Sequence, residues 1–330
     1  MLQDQYGRQI TYLRISVTDR CNFRCVYCMP AEGVPWQSHA AIMQYEEIAE
    51  VVRVAASQGI NEVRLTGGEP LVRKDLPDLV RLIAAIPGIR DISLTTNGIL
   101  LDKMAAPLAQ AGLRRVNISL DTLDAGRFAR ITRGGSLDRF WAGLHAAELA
   151  GFSPIKLNVV AMRGVNDDEL VDLARLSMDH HWQVRFIEIM PIRNQESWGP
   201  DFPSPESVYI SIQEILSILE PLGLEPVGAA HAVGNGPARE YRLDGAVGTV
   251  GFISPLGEKF CDHCNRLRLT ADGFLRPCLL KEIEIPVLPA LRAGEPILPL
   301  LQKAVALKPS SHELEEESYS TGRCMRQIGG

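Results

Sequence analysis

The sequence predicts an α/β fold: a partial, open βα barrel of TIM type, built from six strand–helix units, with a smaller C-terminal α+β region. Three observations predict it. Strand-like segments alternate with helix-period segments over the first 190 residues, in units of about 25 to 40 residues, the mark of a parallel βα architecture. Clusters of Cys, Gly, Asn, Ser and Met fall at the C-terminal ends of those strands, where βα barrels build their active sites. Six units are too few to close an eight-stranded barrel, so the barrel is expected to stay open.

The elements follow in order. Residues 11–18 alternate weakly and read as a first strand running into a cysteine loop. Residues 44–58 read as a helix, with Ile48, Val51, Val52 and Ala55 at i, i+3, i+4 and i+7 and Gly59 as the stop. Residues 62–66 form a short strand ending in GGEP. Leu76, Leu79, Val80 and Ile83 mark the next helix, stopped by Pro87-Gly88. The strand at 91–95 ends in TNG, a short helix follows over 102–111, and the strand at 115–119 ends in SLD. Leu137, Phe140, Trp141 and Leu144 mark a helix ending at Gly151. Strand 155–160, helix 168–179 and strand 183–189, which ends at Met190-Pro191, complete the series.

Beyond Met190 the texture changes, and 14 of the 21 prolines lie there. Residues 207–222 still look helical. Short β-like pieces follow, with hairpin turns at Asp244-Gly245 and Asp272-Gly273. A boundary near 225 is expected, dividing the chain into 1–225 and 226–330. The acidic run at 312–318 reads as an exposed lead-in to the tail.

The chain has 330 residues, 46% hydrophobic and 22% charged, enough for a large core. Its first residues are polar without an apolar signal core, and no stretch approaches the roughly 20 apolar residues of a membrane span. A cytoplasmic protein without membrane association is expected. A net charge of −6 argues against nucleic-acid binding, so any phosphate site must be made by local arginines. Seven cysteines, an odd count, point to metal or catalysis rather than disulfides.

Cys21, Cys25 and Cys28 stand at C-x3-C-x2-C spacing, too close for ordinary core packing, and read as ligands of one soft metal centre. Zinc usually takes four ligands, commonly from paired C-x2-C units, and disulfide staples belong to small secreted domains. An iron–sulfur cluster held by three thiolates keeps one iron open. With Tyr27 before the last Cys, the stretch resembles the radical S-adenosylmethionine (SAM) enzymes. The resemblance implies that SAM chelates the open iron of a [4Fe-4S] cluster and is cleaved to a 5'-deoxyadenosyl radical. GGEP at 67–70 is by itself an ordinary turn. Placed after this loop it resembles the family's SAM-binding element, which implies Gly68 and Glu69 as SAM contacts alongside Tyr27. Ser119 and Met190, core or cap residues by themselves, match further SAM-contacting positions.

A second set, Cys261, Cys264 and Cys278, divides evenly on spacing between a zinc ribbon and a second cluster, with His263 or Cys324 available as a fourth ligand. The whole constellation, VTDRCNFRCVYCMP, RLTGGEPL, TTNG, ISLDT, KLNVV, CDHCNRLRL and a terminal Gly-Gly, resembles the GTP 3',8-cyclase family over the full chain. That resemblance implies a second [4Fe-4S] cluster whose open iron meets the guanine of GTP. It implies Arg14, Arg64, Thr95, Lys156, Arg266, Leu267 and Arg268 as substrate contacts. It also implies a tail, with Arg323, Arg326, Gly329 and Gly330, reaching back to the site. The implied reaction is the first step of molybdenum cofactor biosynthesis: abstraction of the ribose 3' hydrogen and closure to (8S)-3',8-cyclo-7,8-dihydroguanosine 5'-triphosphate. A homodimer, a reductant protein (dithionite in vitro) and a downstream cyclic pyranopterin monophosphate synthase are implied as partners. Other readings of the same motifs are a peptide-modifying or maturation radical SAM enzyme, which usually carries more C-terminal cysteines, and a metal-dependent regulatory module.

Overall fold

The weak alternation near the N-terminus becomes β1 (Tyr12–Ser16) in the computed structural model, which describes residues 1–190, 198–199, 202–204, 207–228, 236–257, 260–312, 323 and 325–328. The remaining expected strands are β2 (Glu62–Thr66), β3 (Asp91–Thr96), β4 (Arg115–Ser119), β5 (Ile155–Ala161) and β6 (Gln183–Glu188). They pair in chain order, all parallel. Helices α1 (Tyr45–Ser57), α2 (Leu76–Ala84), α3 (Leu101–Ala111), α4 (Ala125–Thr132), α5 (Leu137–Leu149) and α6 (Leu170–Asp179) connect them. The start of α1 is set by a capping box between Gln44 and Glu47, and its expected stripe of Ile48, Val51, Val52 and Ala55 is fully buried. α4 was not expected from the sequence. It is two turns long, capped by Asp124, and buries Phe128, Ile131 and Thr132.

The sheet runs further than six strands. After α7 (Ile212–Leu219) come β7 (Glu225–Pro226), β8 (Arg239–Arg242), β9 (Thr249–Ile253), β10 (Arg266–Leu269), β11 (Phe274–Arg276) and β12 (Ile285–Pro286), then α8 (Leu288–Arg292) and α9 (Leu298–Ala306). β9 pairs parallel with β6, and β10 pairs parallel with β1. Beyond them β8, β7 and β11, β12 add antiparallel edges. The order is β12-β11-β10-β1-β2-β3-β4-β5-β6-β9-β8-β7, an open sheet with eight parallel strands at its centre. Gly245 and Gly273 in the expected Asp-Gly turns have φ of +73° and +77°, a region glycine enters without strain. The expected helix over 207–222 is shorter, because Ser211 caps it and Pro221 lies in a 3-10 turn that ends it.

Alternation along the strands divides the sheet into two faces. Leu13, Ile15, Val63, Leu65, Val116, Ile118, Leu157 and Phe186 face the helices and form the main core. The other face carries polar and cationic residues. The register places Arg14 directly between Arg64 and Arg268.

Candidate active site

The first thiol loop is held by backbone. Gly68 N–H donates to the Thr18 carbonyl at 2.8 Å, and Glu69 N–H donates to the Arg20 carbonyl at 2.8 Å. A Cβ on Gly68 would lie 2.2 Å from the Arg20 oxygen and 3.1 Å from the Cys21 nitrogen. The glycine is therefore required by close approach of the cysteine loop itself. Glu69 is 1% exposed, and its carboxylate accepts from Leu71 N–H (3.0 Å), the Thr96 hydroxyl (2.7 Å) and Asn97 N–H (2.7 Å). Burial pushes its pKa up to about 7 against those three donors. This side chain locks GGEP to TNG.

Within the loop, Cys28 and Met29 N–H both turn back onto the Cys25 carbonyl, and Phe23 N–H donates to Cys21 Sγ at 3.3 Å. Burial, then Cys28, Asp121 and Cys21, push the Cys25 thiol well up, as expected where thiols face one another. The Tyr27 hydroxyl donates to Asp121 at 2.7 Å, and Val160 N–H donates to the other Asp121 oxygen at 2.9 Å. Burial still raises Asp121 to about 6.

The second thiol set lies at the other end of the strands. Cys264 precedes β10 and Cys278 follows β11, whereas the first loop follows β1, the parallel neighbour of β10. This set thus sits at the N-terminal end of β10, whereas the motifs of the first six strands follow their strands. Arg8 Nη1 donates to the Cys261 carbonyl at 2.7 Å and is itself paired with Asp4 at 2.6 Å. Burial alone would raise Cys264, but the ammonium of Lys308 and the guanidinium of Arg266 hold it below the usual thiol range. Leu280 N–H donates to Cys278 Sγ at 3.4 Å.

A cavity of about 310 Å³ joins the two ends. Tyr27, Ser119, Asp121 and Met190 line it toward the first loop, and Cys261, Cys264 and Cys278 line the other side. Between them stand Arg14, Arg64, Thr95, Arg266 and Arg268. Burial, then Arg268 and Arg64, pull Arg14 well below its ordinary value. Arg268 falls to about 10, chiefly by burial and then by Arg266. Such a concentration of buried cations is relieved by a polyanion. Tyr12 Oη, Thr95 Oγ1, Asn158 Oδ1 and Arg266 Nε are buried on this cavity without a protein hydrogen-bond partner, an arrangement that a polar ligand satisfies.

Other expected residues do not line the cavity, although Lys156 is coupled electrostatically to Arg185 and Arg64, which do. Leu267 packs in the main core on the opposite face of β10, so its side chain does not face the cavity. Lys156 is buried on β5, registered with Asn117 and Gln183, and is lowered to about 6 by burial, Arg185 and Arg115. Arg323 pairs with Asp272 and Glu284 and stacks on Phe274, so it anchors the tail. Of the described tail residues, Met325 lines the cavity, and Arg268 donates to the Ile328 carbonyl at 3.2 Å. Arg326 lies in a short 3-10 turn at Met325–Gln327, while Cys324, Gly329 and Gly330 lie outside the described residues.

Sequence reasoning missed Arg185, Asp121, Asn158, Arg8 and Lys308. Arg185 lines the cavity and is lowered to about 9 by burial and Arg64. Its position on the same face as Lys156 and Asn158 was readable from strand alternation; no motif drew attention to it. Among the described residues no group of three or more His, Cys, Asp and Glu is gathered as a single metal ion needs. A multi-iron cluster instead binds each thiolate to its own iron. The two three-thiol sets, one loop-held and one backed by cations, fit such groups.

Two family models match the chain: the radical SAM superfamily over residues 15–177 and Molybdenum Cofactor Synthesis C over residues 182–314. Proteins named GTP 3',8-cyclase from Moorella thermoacetica and Pelotomaculum thermopropionicum are each 51% identical to it, covering 100% of both chains. The one from Heliobacterium modesticaldum is 47% identical over 99% of each. Among solved structures, Streptococcus suis SuiB bound to S-adenosylmethionine shares the fold, with a TM-score of 0.60 at 15% identity, covering 89% of this chain and 66% of that one. Among the described residues no helix is long and apolar enough to cross a membrane.

Proposed function

The chain belongs to the GTP 3',8-cyclase family of radical SAM enzymes, and from that premise we propose the role of each part of its site. It is a radical SAM lyase that acts on GTP in the first step of molybdenum cofactor biosynthesis. The observation that carries the finer reading is one cationic cavity with a three-thiol set toward each end. Cys21, Cys25 and Cys28 would hold a [4Fe-4S] cluster that, with SAM, supplies a 5'-deoxyadenosyl radical to abstract the ribose 3' hydrogen of GTP and so close the bond to guanine C8. Cys261, Cys264 and Cys278 would hold a second one as the anchor for the guanine base.

The chain's own residues position and exclude. Tyr27, oriented by Asp121, together with Ser119 and Met190 forms the SAM side of the cavity. Gly68 and Glu69 serve that side by holding the cysteine loop and TNG in place. Arg14, Arg64, Arg266 and Arg268 take the triphosphate, with bidentate guanidinium–phosphate bonds replacing their mutual repulsion. The Thr95 hydroxyl and the Asn158 amide oxygen, an acceptor, hydrogen-bond the nucleoside. Holding the 3' carbon in register matters, since an error of about 1 Å costs about a hundredfold in rate. The tail, through Ile328 on Arg268, closes the cavity. We keep 1–225 as the radical-generating part and 226–330 as the part bearing the second thiol set, and a homodimer, a protein reductant and a downstream cyclic pyranopterin monophosphate synthase as partners.

The test is anaerobic. The reconstituted chain is given dithionite, SAM and GTP deuterated at the ribose 3' position. Deuterium is expected in 5'-deoxyadenosine. SAM cleavage at an equal rate without GTP, and with no label transferred, would refute the substrate assignment.

A further inference from the structure

We propose that Lys308 is a positioning residue that holds the second thiolate set together and favours the reduced form of the cluster there, placing its reduction potential above that of the first. The inference rests on the reading of Cys261, Cys264 and Cys278 as cluster ligands.

Lys308 follows α9 and is 2% exposed. Its Nζ donates to the Arg266 carbonyl at 2.8 Å and to the Pro277 carbonyl at 2.8 Å. An ammonium has three donors, and these two carbonyls take two of them. Arg266 lies two residues after Cys264, and Pro277 immediately precedes Cys278. One buried cation therefore ties together the two backbone segments that carry two of the three thiols. Arg8 treats the third similarly: it holds the Cys261 carbonyl at 2.7 Å and the Pro309 and Ser310 carbonyls at 2.5 and 3.0 Å. The same Arg8 thus fixes the segment that begins with Lys308.

The first loop also has guanidinium groups on its backbone, Arg24 on the Cys21 carbonyl at 2.8 Å and Arg133 on the Met29 carbonyl at 3.0 Å, but beside the Cys25 thiol stands a carboxylate, Asp121, fixed there by Tyr27 and Val160. Reduction adds one electron, taken from an external one-electron reductant such as dithionite, and no bond to Lys308 is made or broken. A buried cation beside a ligand sulfur stabilises the added charge, and a nearby carboxylate opposes it. Outer-shell partners of this kind typically change metal retention by about 10–100-fold when removed.

The experiment is a redox titration of the anaerobically reconstituted full chain, followed by electron paramagnetic resonance and iron analysis. Cys25→Ala assigns the two signals. In the native chain the second cluster is expected to be reduced before the first. In Lys308→Met the second reduction equilibrium is expected to shift about tenfold against the reduced form, about 59 mV for one electron, with the first unmoved. Loss of iron from the second set alone is the stronger form of the same result, and Lys308→Arg is expected to restore either. A Lys308→Met chain with both clusters and an unmoved second potential would overturn the proposal. So would a native chain whose first cluster is reduced before its second, a comparison that needs no variant. A native chain with iron at the first set only, or zinc at the second, would refute the cluster reading rather than the role of Lys308.

Discussion

Replacing Lys156 by Met should stabilise the substrate-free protein while weakening its use of GTP. Lys156 is 3% exposed on β5, and the charged groups facing it are Arg185 on β6, Arg115 on β4, Arg64 on β2 and Glu240 on β8. Burial first, then the arginines, lower it from 10.5 to about 6. The folded state therefore binds fewer protons than the unfolded state between those values, and this group makes stability rise with pH through that window. At about pH 7.5 the lysine has given up roughly three units of its unfolded proton affinity, which costs on the order of 4 kcal/mol. Methionine removes that cost and keeps most of the side-chain volume. The assay is urea unfolding of both chains at about pH 6.5 and 8.5. The advantage of Lys156→Met should be larger at the lower pH, by about 2.6 kcal/mol from the linkage relation. Glu69 and Asp121 titrate in both chains, so they cancel from the difference. A triphosphate would recharge the lysine, so GTP binding should take up a proton in the wild type and not in the variant. A pH-independent difference, or a less stable variant, would refute the reasoning.

The other expectations are more local. Gly68→Ala places a methyl group against the Arg20–Cys21 peptide, so the first set should lose iron while the second keeps it; iron analysis and resonance spectra read this directly. Glu69→Gln leaves one of three buried donors without an acceptor, a loss of about 1–3 kcal/mol. Because the folded pKa of Glu69 is raised from 4.5 to about 7, its stabilising protonated form is lost as pH rises through that window. The deficit of the Gln variant should therefore shrink with pH in the same unfolding assay. Arg266→Ala should retain both clusters and raise the KM for GTP by about 10–100-fold, the loss of one charge-assisted contact, while Cys25→Ala should abolish SAM cleavage with or without GTP.

The six strands and most of the helices between them were readable because each buries one clear stripe or alternation, as in α1 with Ile48, Val51, Val52 and Ala55. α4 was missed because Gly126, Arg127 and Arg130 dilute a stripe only two turns long. The joining of β9 and β10 to the barrel sheet carries no local signal, since each pairs with a strand distant in sequence. The cysteines, Tyr27 and Ser119 were legible as motif positions. Arg185 and Lys308 were not: each looks locally like an ordinary strand or helix-end cation, and only the tertiary packing makes it buried. Glu69 was legible as a position but not as a task, for its partners Thr96 and Asn97 come from the next strand and its turn.

The parallel pairing of β1 with β10 makes a ruler of the sheet. One thiol loop begins beyond the last residue of β1, and the other ends just before the first residue of β10, opposite Tyr12. The five residues of β1, four of them paired with β10, span roughly 17 Å at about 3.3 Å each, and backbone hydrogen bonds rather than loop conformation hold that length. The ruler is also graduated. Its marks are alternate residues, with Tyr12 and Arg14 inward and Leu13 and Ile15 packed against the helices. Removing one residue would shorten the span by a single step and turn Arg14 out of the cavity and into the core, because side chains alternate with a period of two. Length and charge along the reaction path are thus set by the same five residues, and neither can drift without the other.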